Sequence, residues 1–580
     1  MDPTQRDRGP GLLPLSRRGR RADHAGSHRL GRFTLVVPSP NNDDAGRTTP
    51  SAPGPRLGGA GLAAGTLLLT AALLYLFVSW LEGFGFSLET NPARWLAGVD
   101  RSAALDAVGN AAEVISALLA IVITVVAIVV ELAATRYTHR ITELFIREPI
   151  NVIVLSFFVL TTVLCLWIAA TFGSEISPAA LLPQAALWLP LLMLTACLVI
   201  LLPYFAFVFA FVSPLNTIRR LKAQALASIG RYAKRGDPAR MEILEAIEEL
   251  ADLARGSLQH KDRTIAMAVT DAFADLLGEF WRIRDELPDA FFALDGALAR
   301  DPDFVAVDPS VRNQLGRHGG WLEVKILRQF LELFSNNLGH ARDVGSFLAI
   351  KTRNLAIESN DPDRETLTLC LKFFNSYMRA AINGRDLRLA YYVLDQYRQL
   401  AEELIARGDS QEAVEIANFM RYYGQIGYSA DLKFLLETVA FDLSRLIEFS
   451  EHAQSPATDE LLAIFLEVDR PEEPGSAEED RLLAVRRVQA QLATALLSRG
   501  DTARAHRIRQ DMAEERPERL ALIRAELAGE TRSSYWEFTD RGVNFAYLPL
   551  QHRPYLDEFF AGFDGLPSVA AIKDPTRRPS

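Results

Sequence analysis

Cysteine is scarce in this chain of 580 residues, which contains only Cys165, Cys197 and Cys370. Two of the three lie in apolar runs and none has the spacing of a zinc ligand, so neither a disulfide framework nor a zinc site is predicted. Lysine is also rare, because only eight of the 62 basic residues are lysines. We associate that bias with a GC-rich bacterial genome and derive no chemistry from it.

Motifs of the common enzyme classes are absent as well. The sequence contains no G-x-x-x-x-G-K-[ST], no G-x-S-x-G, no H-E-x-x-H and no G-x-G-x-x-G after a strand. The histidines are scattered, without a metal-binding pair on one helix. The Asp-Pro-Asp triplets at 301–303 and 361–363 are acidic enough to hold a cation, although Asp before Pro is also an ordinary helix start. No catalytic residue, cofactor or metal is predicted.

Acidic charge is unevenly distributed. Residues 214–580 hold 47 basic and 58 acidic side chains, whereas residues 1–213 are nearly neutral. An acidic surface repels the phosphate backbone, so we predict no nucleic-acid partner. The same charge favours a basic partner protein.

Long apolar runs occupy the first part of the chain. They predict four transmembrane helices at 57–81, 114–130, 150–172 and 184–212. Arginine is concentrated before the first run, between the second and third, and after the fourth, all on one side. The positive-inside rule therefore predicts a multi-pass protein of the bacterial inner membrane with both termini in the cytoplasm.

The segment 132–147, directly after the second run, has an amphipathic pattern. Arg136, Arg140 and Arg147 recur at helical spacing with apolar residues between them. Because the third run begins at Ile150, we predict that this segment turns and lies in the membrane interface. Its three arginines would then contact lipid phosphates, which makes the lipid bilayer a predicted partner.

Asn110, Glu113 and Glu131 form a candidate polar face on the second span. The two glutamates are about five helical turns apart, and Asn110 lies roughly one turn outward of Glu113. Ionisable residues at membrane depth are functional candidates, and this stripe suits a permeation or proton path. Both carboxylates also bound the apolar run, which is the pattern of side chains that reach interfacial water.

Beyond residue 213 the sequence predicts helix after helix, so the fold class is all-α. Apolar residues recur at intervals of three and four in the segments 219–234, 240–255, 264–285, 321–336, 365–381, 387–406, 411–423, 432–450, 481–498, 503–514 and 516–527. Consecutive amphipathic helices joined by short turns predict antiparallel pairs stacked as an α-solenoid.

Arg-Gly-Asp triplets at 235–237, 407–409 and 499–501 each close one predicted helix and open the next, and 383–386 is a looser copy. Glycine readily takes the left-handed conformation that ends a helix, and Asp accepts the first free N–H groups of the following one. The pattern resembles the inter-helix turn of tetratricopeptide-like repeats. That resemblance implies stacked helical hairpins and no particular ligand.

Near the end, residues 534–538 and 543–547 flank a turn and have the composition of a β-hairpin. We interpret it as a cap over the last helices, with an aromatic ligand platform as the alternative. The predicted organisation is a disordered cytoplasmic tail at 1–56, a four-helix membrane domain at 57–213, a helical-hairpin domain at 214–530 and the hairpin cap with a tail at 531–580.

The stretch V-E-L-A-A-T-R-Y-T-H-R, which begins at Val130, ends a span and leads through an arginine-bearing segment into the next apolar run. It is similar to the membrane core of a large set of bacterial predicted membrane proteins of unknown function. The resemblance covers about residues 60–215. It implies a polytopic membrane core and no activity.

Two functions fit these features. The leading interpretation is a membrane-anchored interaction scaffold or sensor whose cytoplasmic helices recruit a protein partner. The alternative is a homo-oligomeric channel or transporter in which the second span lines a pore. An enzyme ranks third, because it requires a cluster of polar side chains in a cytoplasmic cleft that no motif indicates.

Overall fold

The computed structural model describes residues 101–136, 145–146, 148–172, 185–296, 298–305, 307–308, 312, 315, 319–359, 364–469, 482–534, 541–563 and 565–566. These residues all belong to one unit, Pro55–Ser580. The predicted tail at 1–56 and the predicted first span at 57–81 lie outside the described residues.

Three long apolar helices form the membrane part: α1 (Arg101–Arg136), α2 (Pro149–Phe172) and α3 (Ala185–Val212). Each contains a stretch long and apolar enough to cross a membrane, at Asp106–Thr135, Pro149–Ala170 and Leu189–Val212. The described residues therefore supply three candidate spans, which match the second, third and fourth predicted spans, and the predicted first span lies outside them.

One face of α1 packs against α2 and α3. Its buried side chains are small or β-branched and recur at helical spacing, among them Ala112, Val122, Val126 and Ala133. They meet larger side chains of α2 and α3, including Phe158. Close approach of helices over small residues is the usual packing in membranes, where lipid removes the hydrophobic drive between helices.

The helix α1 also changes the predicted boundary of the interfacial segment. It continues without a break to Arg136, so the first five residues of the segment 132–147 prolong the membrane helix. Ala133 and Ala134 explain the extension, because both are buried against the bundle. Of the rest, residues 145–146 are helical and most others lie outside the described part.

Polar helices follow directly. Pro214 occupies the first position of α4, where its missing N–H costs nothing, so the last span ends at Val212 as predicted. The helices are α4 (Pro214–Arg235), α5 (Asp237–Gln259), α6 (Arg263–Ile283), α7 (Trp321–Asn336), α8 (Arg342–Glu358), α9 (Glu365–Asn383), α10 (Leu387–Arg407), α11 (Ser410–Ser429), α12 (Lys433–His452), α13 (Thr458–Leu466), α14 (Leu483–Ser498), α15 (Thr502–Asp511), α16 (Pro517–Gly529) and α17 (Pro554–Phe560).

Helices α4 to α16, which we call the helical array, alternate between two layers. The even-numbered helices pack in sequence against one another, α4 on α6 through to α14 on α16, and the odd-numbered helices do the same from α5 to α15. Most consecutive helices also pack against each other. A single hydrophobic core runs between the two layers, from Ile218 in α4 to Leu527 in α16.

The Arg-Gly-Asp turns between the layers have the predicted glycine conformation but only part of the predicted Asp capping. Gly236, Gly408 and Gly500 all have positive φ, as the three triplets require. Asp501 accepts a hydrogen bond from the N–H of Arg504 and so caps α15, whereas the side chain of Asp409 makes no capping bond.

The predicted β-hairpin is wrong at its second strand, 543–547, whereas residues 535–538 of its first strand lie outside the described part. Residues 541–550 form turns and irregular backbone, and no strand occurs anywhere in the described parts of the chain. Asn544 gives the physical reason, because its Oδ1 accepts a hydrogen bond from the N–H of Ala546 at 3.0 Å. That local turn replaces the extended backbone that the strand at 543–547 required. Residues 541–553, here called the strap, instead cross the array, and α17 then packs on α14 and α16.

Candidate functional site

The candidate polar face of α1 lies on the side of the helix that faces away from α2 and α3. Asn110, Glu113 and Glu131 are all exposed, and the two glutamates share one face as predicted. The side chains along that face between the glutamates are small or polar and also exposed: Ala117, Ala120, Thr124 and Ala127. The described helices α2 and α3 therefore do not enclose these polar residues, which lie on one continuous exposed face of α1.

The predicted lipid-binding arginines cannot be placed. Arg136 is the last residue of α1, but its side chain is outside the described part, as are Arg140 and Arg147 entirely. Their contact with lipid phosphates stays a prediction.

A polar junction holds the end of the 137–148 connection against the bundle. The side-chain amide of Asn151, at the start of α2, donates to the carbonyl oxygen of Phe145. The hydroxyl of Tyr204, on α3, donates to Oδ1 of Asn151 at 3.3 Å. Because all three residues are buried, these bonds replace water for groups that are otherwise costly to bury.

The same junction reaches the first helix of the array. The ring of Phe145 packs edge-on against that of Phe211, with ring centres 5.3 Å apart. The guanidinium of Arg220, on α4, lies 4.3 Å from the centre of the Phe211 ring and 3.9 Å from the carboxylate of Glu148. Burial lowers the pKa of Arg220, and Glu148 opposes that shift. The 137–148 connection, the end of α3 and the first helix of the array therefore meet in one cluster of contacts.

A cleft of about 680 Å³ lies between α7 and α9. Its lining mixes apolar side chains with both signs of charge, including Arg284, Glu323, Arg328, Glu365 and Lys372. Glu323 is buried at the base, where it accepts hydrogen bonds from Nε1 of Trp281 at 3.0 Å and from Arg284 at 3.3 Å. The described lining residues include no histidine or cysteine.

The Asp-Pro-Asp triplet at 301–303 contacts an internal cation. Lys325 of α7 is fully buried, and its ammonium lies 2.9 Å from Asp301 and 2.7 Å from Asp303, with Glu248 as a third partner. Burial alone would lower the pKa of Lys325, but the hydrogen bonds to these carboxylates outweigh it and raise the pKa. Asp301 also accepts a hydrogen bond from the N–H of Asp303, at the start of a short helix. The second triplet, 361–363, lies outside the described residues.

Within the described ranges no three His, Cys, Asp or Glu side chains are arranged to hold a metal ion. The buried acidic side chains there are paired with lysine and arginine instead, as in the cluster around Lys325.

Three apolar helices that continue into a polar helical array define a membrane protein with a large helical extension. Residues 61–271 match the family described as "Predicted membrane protein (DUF2254)". The sequence-based resemblance of the membrane core is thereby confirmed, and the match extends beyond residue 215 to include α4, α5 and part of α6. No curated protein and no solved structure matches the chain.

The matched stretch includes the junction, which the sequence analysis missed. A signal was present, because Glu148 directly precedes the third apolar run while Arg220 shortly follows the fourth. Opposite charges at the same end of two neighbouring spans indicate a contact. The spacing alone does not say which of Arg219 and Arg220 makes it.

Proposed function

We propose that this protein is a scaffold of the bacterial inner membrane, whose helical array lies in the cytoplasm and recruits a protein partner. The observation that carries the proposal is the two-layer order of α4 to α16. Such an order is typical of an α-solenoid, which presents long continuous surfaces to other proteins. The acidic excess of residues 214–580 favours a basic partner.

The junction supports the scaffold proposal because it joins the array to the membrane part. Arg220 contacts both the end of a span and the connection between two spans, so α4 is held by more than its covalent link. A partner bound to the array would therefore be fixed close to the membrane. A sensor function follows the same route, since a movement of the spans would reach α4 through these contacts.

Photo-crosslinking of the full chain in intact cells tests recruitment. A photoreactive residue replaces an exposed side chain of the array, namely Met241, Tyr422 or Leu522. We expect a discrete adduct with one protein species from at least one of these positions. Trp167, 68% exposed on α2, is the control position and should give no such adduct. Absence of an adduct at all three array positions would contradict the scaffold.

A second experiment tests on which side of the membrane the helical array lies. All three native cysteines are buried, which leaves a low background for thiol labelling. A cysteine introduced at Leu550, 74% exposed, should resist a membrane-impermeant maleimide in intact cells and react once the membrane is permeabilised. Labelling in intact cells would place this residue outside the cytoplasm and refute the proposed topology.

A second function, a homo-oligomeric channel, is favoured by the exposed face of α1. Small residues and Thr124 line that face between Glu113 and Glu131, and rings of carboxylates at the ends of a pore select cations. Cation flux into liposomes that contain the purified protein should fall in Glu113→Gln and Glu131→Gln. Flux that both changes leave unaltered would eliminate the channel.

A further inference from the structure

The strap makes its first contact through Arg541. Its guanidinium donates to Oδ1 of Asp442, on α12, at 2.7 Å and also to the carbonyl oxygen of Tyr391, on α10. It lies 3.9 Å from the centre of the Tyr391 ring and 3.6 Å from Asp395. Arg541 thus fills an acidic pocket formed by two neighbouring helices of the same layer.

The second contact is aromatic and lies four residues further on. Phe545 stacks on Phe441 with ring centres 4.3 Å apart and on Phe434 at 5.7 Å, both from α12. Next to this ring, Nε2 of Gln491 on α14 donates to the carbonyl oxygens of Phe545 at 2.9 Å and Tyr547 at 3.3 Å. Gln491 therefore binds the main chain of the strap and is indifferent to its side chains.

The groove under the strap is only partly filled. A cavity of about 440 Å³ continues beside it, lined by Arg445, Glu448, Gln491 and His552 among others. In the same cavity wall, Oδ2 of the fully buried Asp442 has no hydrogen-bond partner among the described residues. Burial raises the pKa of Asp442, and the charges of Arg541 and Arg398 oppose that shift.

We infer that the groove across α10, α12 and α14 is a peptide-binding site for a partner protein, and that the strap is an internal competitor for it. The partner segment is extended and carries an arginine followed four residues later by an aromatic ring, as Arg541 and Phe545 do. This inference rests on the proposed scaffold function, whose partner surface it specifies.

Three features of the groove support this assignment. Binding of backbone carbonyls by Gln491 suits any extended segment in the right register. The fully buried carboxylate of Asp442 lies 3.5 Å from Arg398 of the array itself, and the closer contact, at 2.7 Å, comes from the guanidinium of the strap, so the pocket has room for a second guanidinium. The strap itself is an imperfect occupant, because it leaves the cavity open and exposes Val543 and Leu550 to solvent.

The covalent link gives the strap a kinetic and thermodynamic advantage over a free peptide. Tethered segments reach effective concentrations on the order of 1 mM. A peptide that binds the empty groove at about 10 μM would consequently bind the wild-type protein roughly a hundredfold more weakly. Removal of the two anchors from the strap should expose this difference.

The experiment uses the full chain in detergent and a fluorescein-labelled peptide with the sequence of residues 541–549. The variant Arg541→Ala/Phe545→Ala releases the strap. We expect fluorescence anisotropy to show at least about tenfold tighter peptide binding by this variant than by the wild type. The released strap lacks both anchors, so it cannot occupy the groove of a second copy.

Two controls define specificity. A peptide in which the arginine and the phenylalanine are both alanine should not bind the released variant. Addition of Asp442→Asn to the released variant should abolish binding of the original peptide, while circular dichroism and thermal unfolding show that the helices remain folded.

The outcomes separate this inference from the scaffold proposal. A released variant that unfolds cooperatively but does not bind the peptide would overturn the inference, and so would equal binding by the wild type and the released variant. Adducts from Met241, Tyr422 or Leu522 in the cell experiment would leave the scaffold intact in either case. Their absence, with peptide binding present, would instead remove the recruiting function and keep the groove.

Discussion

The membrane part and the helical array satisfy their polar side chains in different ways. In α1 to α3 the hydroxyls of Ser116, Thr124, Thr161 and Thr195 each donate to the backbone carbonyl four residues earlier in the same helix. In the array, buried polar groups connect distant parts of the chain, as Lys325 connects to Glu248. These hydroxyls of the membrane helices therefore bond within their own helix, whereas the array uses buried charge to specify which helices meet.

Arg240 is a second example of charge that orders the array. It is 1% exposed, and its guanidinium binds the hydroxyl of Tyr232 at 2.6 Å and the carboxylate of Asp295 at 2.8 Å. The hydroxyl of Tyr232 in turn donates to the carbonyl oxygen of Ala290 at 2.9 Å. One arginine thereby holds the irregular segment between α6 and α7 against α4 and α5. No arginine or lysine is buried among the described residues of α1 to α3, where the corresponding link is the neutral Asn151.

The largest expected effect comes from Lys325→Met, which leaves the buried carboxylate of Asp301 without its cation, whereas the partly exposed Asp303 keeps Arg328 at 3.8 Å. We expect the free energy of unfolding to fall by about 3–5 kcal/mol, the usual cost of breaking a buried ion pair. Chemical denaturation followed by circular dichroism measures it. Lys433→Met is the matched control, because Lys433 is exposed and its ion pair should contribute less than about 1 kcal/mol. Equal effects of the two changes would show that buried charge does not organise the array.

A pH dependence follows from Asp469, whose carboxylate is 2.8 Å from Arg486. Burial raises the pKa of Asp469 from 3.8 to about 6; Arg486 opposes this shift, and Asp511 and Glu515 add to it. A raised pKa means that the protonated form stabilises the folded state. This contribution is complete below about pH 4 and is lost as the pH rises through 6, to a maximum of about 3 kcal/mol.

Unfolding of Asp469→Asn, measured between pH 4 and 7, should lack that decline relative to the wild type. Asp459→Asn provides the opposite case. The hydrogen bond from Arg504 lowers the pKa of Asp459, so its contribution is present above about pH 4 and is lost as the pH falls further. A wild-type decline between pH 4 and 6 that persists in Asp469→Asn would assign the titration to another group.

At the junction we expect a smaller effect. Arg220→Ala removes the contact with the Phe211 ring and the weak ion pair with Glu148, which together contribute about 1 kcal/mol. The matched variant is Arg219→Ala, because the hydrogen bond that Arg219 makes within the described residues is to Asn216 of its own helix. Thermal unfolding should show a lower midpoint for Arg220→Ala than for Arg219→Ala. A reversed order would remove the junction as the link between membrane part and array.

The smallest effect should come from Thr161→Val in α2. The hydroxyl of Thr161 bonds to the carbonyl of Phe157 in its own helix, so its loss should cost at most about 0.6 kcal/mol. Thr438→Val in α12 is the counterpart in the array, with the same bond to Phe434. Both variants should unfold close to the wild type. A large loss from Thr161→Val alone would mean that its contact with Sγ of Cys197, at 3.7 Å, matters more than the helical bond.

Prediction from the sequence succeeded where the pattern was local and strong. The spans that α1 to α3 contain, the end of the last span before Pro214 and the glycine turns were all visible in the sequence, whereas α4 begins five residues earlier than the predicted helix at 219–234. Helix α8 was missed, because Gly345 and the charged residues Lys351 and Arg353 interrupt its apolar pattern. Gly345 is there for packing: a Cβ at that position would come within 2.9 Å of Leu389 in α10. Glycine is needed at this position because of a contact between two helices, and a sequence pattern does not show such contacts.

The candidate sites were less predictable. The common face of Glu113 and Glu131 follows from helical geometry, but the sequence did not indicate that it points away from α2 and α3. The contacts between Arg220 and Phe211 and between Arg541 and Asp442 were also missed. The sequence contains many arginines and many carboxylates, so it offers many possible ion pairs. Only the folded structure shows which arginine lies next to which carboxylate.

The sequence by itself determined the elements of this protein: apolar helices that suit a membrane, amphipathic helices that need a common core, and the turns that separate them. These properties depend on side chains within a few residues of one another, which one helix brings together. The tertiary structure decided which charges pair and where the strap lies. Arg541 meets Asp442 across a separation of 99 residues, and such a contact depends on how all the intervening helices stack.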